Sequence, residues 1–184
     1  MFTLNLNNVY GCMDPKQKDA KGWRESHTIM ERLVLPPDTN VFNSLYGGRL
    51  MEWVDNVASI VAFKHCRLRT VTGSIDSIFF LAPIHLGYIL KMEGRINYVT
   101  RTTMEIEVDV ISQEPFTGKS RFATKAYLTY VAIDQDGRAT SVPGLILEDE
   151  ESKERFAQGE MRSKRRLELL SSVKTEASKF DDLQ

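Results

Sequence analysis

The stretch 44–66, SLYGGRLMEWVDNVASIVAFKHC, limits the possible folds more than any other part of the chain. Leu50, Trp53, Val54, Val57, Ala58 and Val61 recur at i, i+3, i+4, i+7, i+8 and i+11, one continuous apolar face at helical period. Met51, Ile60, Ala62 and Phe63 widen that face until only Glu52, Asp55, Asn56 and Ser59 form a polar stripe. Gly47 and Gly48 open the segment, where a chain turns sharply and backbone N–H groups lack intrahelical partners. At about 1.5 Å per residue, roughly 19 residues make a rod of about 28 Å, long enough to cross a small domain. The segment therefore predicts one long, largely enclosed helix with a carboxylate in it.

The chain has 184 residues with 42% hydrophobic composition, enough for the core of one domain with tails. Its 24 basic and 25 acidic residues leave a net charge of −1, so no global field argues for nucleic acid or an anionic membrane. Cys12 and Cys66 are the only cysteines, which fits a reducing cytoplasm better than a disulfide framework. No apolar run approaches the roughly 20 residues of a membrane span. The N-terminal segment does not read as a signal peptide.

After the helix the period becomes two. Segments 70–81, 88–99, 104–110 and 121–133 read as strands, with an earlier one at 28–35 ended by Pro36-Pro37. Gly94 suggests a bulge or bend in the second long strand, and alternation of Glu105, Glu107 and Asp109 with apolar residues predicts a wet face on the third. Short connections favour antiparallel neighbours. Residues 1–26 read as an arm, 27–147 as the domain, and 148–184 as a helix to about Leu170 followed by a polar, frayed tail. The late basic group Arg162, Lys164, Arg165 and Arg166 suits the helix dipole, and is also a local candidate for phosphates.

His27, His65 and His85 are scattered without metal spacing, no G-x-S-x-G elbow exists, and Gly47-Gly48 lacks the rest of a P-loop. No metal and no cofactor is predicted. What is left is Asp55 in an apolar helix, a Gly-Gly helix start and a polar loop before it. Free N–H groups at a helix start suit the oxyanion that develops when a thioester is attacked, and Asp55 can take a proton from water.

The order Pro36-Pro37-Asp38-Thr39-Asn40, then the 44–66 stretch, then VTGSIDSIFFLAPIHLG, VTRTTMEIEVDV and AIDQDGRATSVP resembles the acyl-CoA hydrolase branch of the hotdog-fold thioesterases. Any one of these pieces is weak, and five in order at matching spacing are specific. The resemblance implies an α+β hotdog fold: a curled antiparallel five-stranded sheet wrapped around one long central helix, here with an added C-terminal helix. It implies hydrolysis of fatty acyl-CoA to fatty acid and CoA, Asp55 as the catalytic acid residue, and a site between two subunits. Asn43 and Ser44 stand where relatives commonly carry Gly followed by Asn, Asp or Thr, so the second catalytic residue is Ser44 or Asn43. Gly47 and Gly48 would hold the thioester oxygen. Arg101, Thr102 and Thr103 fall in the segment that resembles the CoA-contacting part. A homodimer assembling into a homohexamer, a trimer of dimers, is implied, with acyl-CoA as substrate and neither nucleic acid nor membrane as partner. A hotdog dehydratase is the enzymatic rival, but no histidine lies between Thr28 and Lys64. A non-catalytic acyl-CoA-binding or sensing protein is the alternative of another class.

Overall fold

The computed structural model describes residues 20–181, so most of the predicted N-terminal arm, with Cys12, lies outside the described residues. The elements are β1 Lys21–Gly22, β2 Thr28–Leu33, α1 Gly47–Cys66, β3 Arg69–Phe80, β4 Ile89–Val99, β5 Thr103–Gln113, β6 Ser120–Ile133, β7 Leu145–Ile146 and α2 Glu150–Asp181. Five strands form one antiparallel sheet in the order β2-β4-β5-β6-β3. The predicted hotdog layout is present, with Leu50, Trp53, Val54, Val57, Ala58, Val61 and Ala62 of α1 in one core with Met92, Ile96, Ile106, Val108, Ala126 and Leu128 of the sheet. The last part of the predicted arm is built in: β1 pairs in parallel with β7.

Two lysines tie the end of α1. Lys21 Nζ donates to the otherwise orphaned carbonyl of His65 at 2.7 Å, while Lys64 reaches Thr28 Oγ1 at 2.9 Å. His65 is buried, its Nε2 donates to Pro143 O, and burial pushes its pKa down, so it adds no fixed charge to the helix end.

Two strand expectations change. No bulge lies at Gly94, because pairing runs unbroken from Thr28 through Gly94 to Val108. The glycine serves close approach: a Cβ there would lie 2.7 Å from Val57 Cγ1 and 2.9 Å from Val61 Cγ2. The face of β5 predicted to be wet is largely covered, with Glu105 at 1% and Glu107 at 4% exposure and Asp109 partly exposed. Glu107 is buried because its charge is met, by Lys125 Nζ at 2.5 Å and Asn97 Nδ2 at 2.7 Å.

α2 belongs to a second compact unit, Leu147–Gln184. Ser152 N donates to Asp149 Oδ1 and Asp149 N to Ser152 Oγ, a reciprocal cap at its start. The helix continues to Asp181 rather than ending near Leu170, since no Gly or Pro interrupts it there and Ser171 and Thr175 satisfy their hydroxyls on carbonyls of the preceding turn.

Candidate active site

Asp55 projects from α1 half-buried, and two hydroxyls converge on one of its oxygens. Thr72 Oγ1 donates to Oδ1 at 3.0 Å, and Tyr130 OH donates to the same Oδ1 at 2.5 Å. Among the described residues nothing donates to Oδ2. Thr72 arrives from β3 beside a register shift between Thr72 and Ser74, the kind of irregularity that re-aims a side chain. Tyr130 reaches from β6 through the core, 1% exposed, and Ser59 Oγ lies 3.0 Å from its hydroxyl. Burial first, then the Asp55 carboxylate, pushes the Tyr130 phenol up to about 12, so it stays a protonated donor. The neighbouring acid Glu52 is exposed and held by Arg49 Nη1 at 2.6 Å.

The loop before α1 is shaped around Asn40. Its Oδ1 accepts from Phe42 N at 2.9 Å and Ser44 N at 3.3 Å, and its backbone N donates to Ser44 O. This Asx turn consumes the amide oxygen and leaves Nδ2, a donor, without a partner among the described residues. Asn43 takes a left-handed backbone, φ 55°, and its carbonyl accepts from Leu86 N. Leu45 N donates to Ile84 O at 2.7 Å, pinning the loop to the segment after β3.

Gly47 and Gly48 begin α1 as predicted, with no side-chain cap from Tyr46. The Tyr46 ring lies over Gly48, where a Cβ would stand 2.6 Å from Tyr46 Cε1. Gly47 borders a cavity of about 370 Å³ walled by Leu45, Leu50, Phe80 and Ile84, with Ser44 at its edge. An unsatisfied helix start thus opens beside an apolar hollow.

Arg101 and Thr102 sit in the turn between β4 and β5, and Thr103 opens β5. Thr102 and Thr103 are buried, and Thr103 Oγ1 pairs with Thr100 Oγ1 at 2.7 Å, so the polar character of Thr103 serves the turn. Arg101 is half-buried. Cys66 is buried at the far end of α1, and burial pushes its thiol up, away from nucleophilic use.

The thioesterase superfamily model matches residues 42–118. The chain is 41% identical over 128 residues, 70% of its length and 74% of the other's, to the Bacillus subtilis acyl-CoA thioester hydrolase YkhA, itself uncharacterized. The chain belongs to the acyl-CoA hydrolase family of thioesterases. It is also 36% identical over 140 residues to the human cytosolic acyl coenzyme A thioester hydrolase, of which it spans 37%. Among solved family members, an apo hexameric acyl-CoA thioesterase superposes with a TM-score of 0.80 at 35% identity, covering 83% of this chain and 98% of that one. The Staphylococcus aureus acyl-CoA hydrolase, solved with butyryl coenzyme A, coenzyme A and coenzyme A disulfide, gives 0.81 at 34%, covering 86% and 97%. Structures of that enzyme also exist with alanine in place of an asparagine, of an aspartate fifteen residues later, and of a threonine seventeen residues beyond the aspartate.

The sequence singles out Asp55 and the helix start, and it does not mark Thr72, Tyr130 or the spent amide oxygen of Asn40, which the structure gathers around them. One signal was available for Tyr130: it is the hydroxyl-bearing residue among the core-facing positions Ala126, Leu128, Tyr130 and Ala132 of β6.

Proposed function

We propose that this chain hydrolyses fatty acyl-CoA to a free fatty acid and CoA, with Asp55 as general base and Asn40 as the polar partner facing it. The observation that carries this is the half-anchored Asp55 carboxylate, Oδ1 held by two neutral hydroxyls and Oδ2 left open. Oδ2 takes a proton from water as its oxygen bonds to the thioester carbon. The C–S bond then breaks, and the proton returns to the departing thiolate. The developing oxyanion is met by N–H groups around Gly47 and Gly48 and by Asn40 Nδ2. We place Asn40 rather than Asn43 or Ser44 in this role because its oxygen is consumed within the loop while its donor is free. Asn40, Asp55 and Thr72 also repeat, at the same two intervals, the three residue types replaced in the Staphylococcus aureus enzyme.

One chain does not complete this site. Gly47 and Asp55 lie eight residues apart on α1, about 12 Å at about 1.5 Å per residue. Reacting groups must come within about 3–3.5 Å. The base of one subunit therefore works with the helix start and Asn40 loop of another. β3 is a long edge strand with Ile75, Phe79 and Phe80 exposed, a surface suited to pairing with a second copy. Dimers would assemble further into a hexamer, as hexameric relatives do. Among the described residues no helix is long and apolar enough to cross a membrane. We place the protein in the cytosol, like its human relative by name. Arg101 is our choice for the CoA phosphates.

Free-thiol release from acyl-CoAs of graded length tests the activity, and subunit mixing tests the shared site. Asn40→Ala and Asp55→Asn should each be nearly inactive. Mixed one to one, they regain about a quarter of normal activity, because half the dimers carry one intact site of two. Mixed dimers that form and stay inactive overturn the shared site. A folded, acyl-CoA-binding protein with no thiol release overturns the enzyme reading in favour of a silent binding module.

A further inference from the structure

Tyr130 is an unusual choice for its position. Its ring lies in a core otherwise built mainly from aliphatic side chains, 1% exposed, and its hydroxyl emerges against α1 where Asp55 and Ser59 stand one turn apart. The groups around that oxygen include Asp55 Oδ1 at 2.5 Å, Asp55 O at 2.9 Å and Ser59 Oγ at 3.0 Å, with the Thr72 hydroxyl also close to it. The phenol has one proton to give. The backbone carbonyl already accepts within the helix, whereas the carboxylate oxygen is charged and sits at the short distance typical of O–H···O⁻ bonds. The proton therefore goes to Oδ1, and Ser59 donates to the phenol oxygen from behind. The result is a relay, Ser59 to Tyr130 to Asp55, converging with Thr72 on a single carboxylate oxygen.

A carboxylate held by one donor can still swing about its last torsion, which for Asp is broad and nearly two-fold. Two donors reaching Oδ1 from different strands, β3 and β6, remove that freedom. We infer that Tyr130 is a positioning residue of the hydrolytic site, one that, together with Thr72, pins Oδ1 of Asp55 so that Oδ2 is the oxygen presented to the attacking water. The inference rests on the reading of Asp55 as the base. Both donors are uncharged, so they fix the geometry of the base without pairing it to a cation.

The test is Tyr130→Phe, which keeps the ring that fills the core and removes only the hydroxyl. Its kcat should fall about 10- to 100-fold, the scale of a small misplacement of a reacting group, with KM for acyl-CoA unchanged within about two-fold. In an Asp55→Asn background the same substitution should cost nothing further, because the carboxylate it positions is gone. A merely structural tyrosine would lower activity in both backgrounds or disturb KM, and that outcome overturns the proposal. So does wild-type kcat in Tyr130→Phe when Asp55→Asn is inactive, which leaves the base assignment standing. Wild-type turnover in Asp55→Asn itself overturns the base assignment and the proposal with it. Should Tyr130→Phe fail to fold, Ser59→Ala carries the same test on the helix surface. Losing the donor behind the phenol should lower kcat about two- to five-fold in the wild-type background and not in Asp55→Asn; equal effects in both backgrounds overturn the proposal.

Discussion

The sheet carries a buried or half-buried carboxylate network on each of its faces, and the two are built on opposite principles. On the outer face Glu107 is saturated: Lys125 binds one oxygen, Asn97 the other, and the same ammonium lies 2.8 Å from Asp109 Oδ1. Burial alone would push the Lys125 pKa down, but Asp109 and Glu107 outweigh it and hold it above the ordinary lysine range. Against the inner face Asp55 of α1 has, among the described residues, no cation, two hydroxyls on one oxygen and an open second oxygen. A cation across a carboxylate favours the ionised form and occupies the lone pairs that a base must offer. Glu107 is thus spent on holding strands together, whereas Asp55 is held without being used up.

The sharpest way to break this comparison is to remove the same charge from each network. Asp55→Asn should leave a folded protein whose kcat falls about 10²–10⁴-fold, the usual contribution of a general base. Glu107→Gln should leave kcat close to normal and lower the melting temperature instead, since it strands part of the Lys125 ammonium's compensation. Glu107→Gln losing turnover while keeping its stability would show that the outer network also serves the chemistry.

Next in size is Lys125→Met, which deletes a cation that Glu107 and Asp109 share. Breaking a buried pair from one side costs about 3–5 kcal/mol. Lys125 is partly exposed, which places the loss at the low end, about 3 kcal/mol. Denaturant unfolding should show this loss, while kcat of the folded fraction is unchanged.

The two networks also differ in how far the sequence reveals them. The core helix and the strands were legible because helical period and strict alternation depend on near neighbours in the chain. Asp55 was legible as an acid inside an apolar helix. Its partners were not: Thr72 is 17 residues away and Tyr130 is 75, joined to it only by strand order and by an irregularity in β3. The burial of Glu107 was hidden for the same reason, since alternation marks a second face without saying what neutralises it. Gly94 invited a bulge when the cause was the approach of α1 across the sheet. Asn40 was visible as one of several turn-forming side chains. Which of them would spend its oxygen and keep its amide depended on how the loop closes.

The smallest effect separates the networks by pH. Tyr130 has its pKa pushed up to about 12, above the ordinary value of 10.0, so its protonated form is favoured by folding. Its contribution is complete below pH 10 and is lost as pH rises through about 12, because over that range the native state binds more protons than the unfolded chain. Each tenfold gain in proton affinity on folding is worth about 1.4 kcal/mol, so the full loss is about 2–3 kcal/mol, of which about half is expressed by pH 11. Lys125 is likewise raised, so the outer network also weakens in alkali. Urea unfolding at pH 9 and pH 11 should therefore show the wild type losing stability with both components. Tyr130→Phe should remove the inner component alone and Lys125→Met the outer one alone, each variant losing less between the two pH values than the wild type. An alkaline loss unchanged by Tyr130→Phe would mean that the phenol is not held protonated against Asp55, and the inner network would then lack the neutral donor that distinguishes it from the outer one.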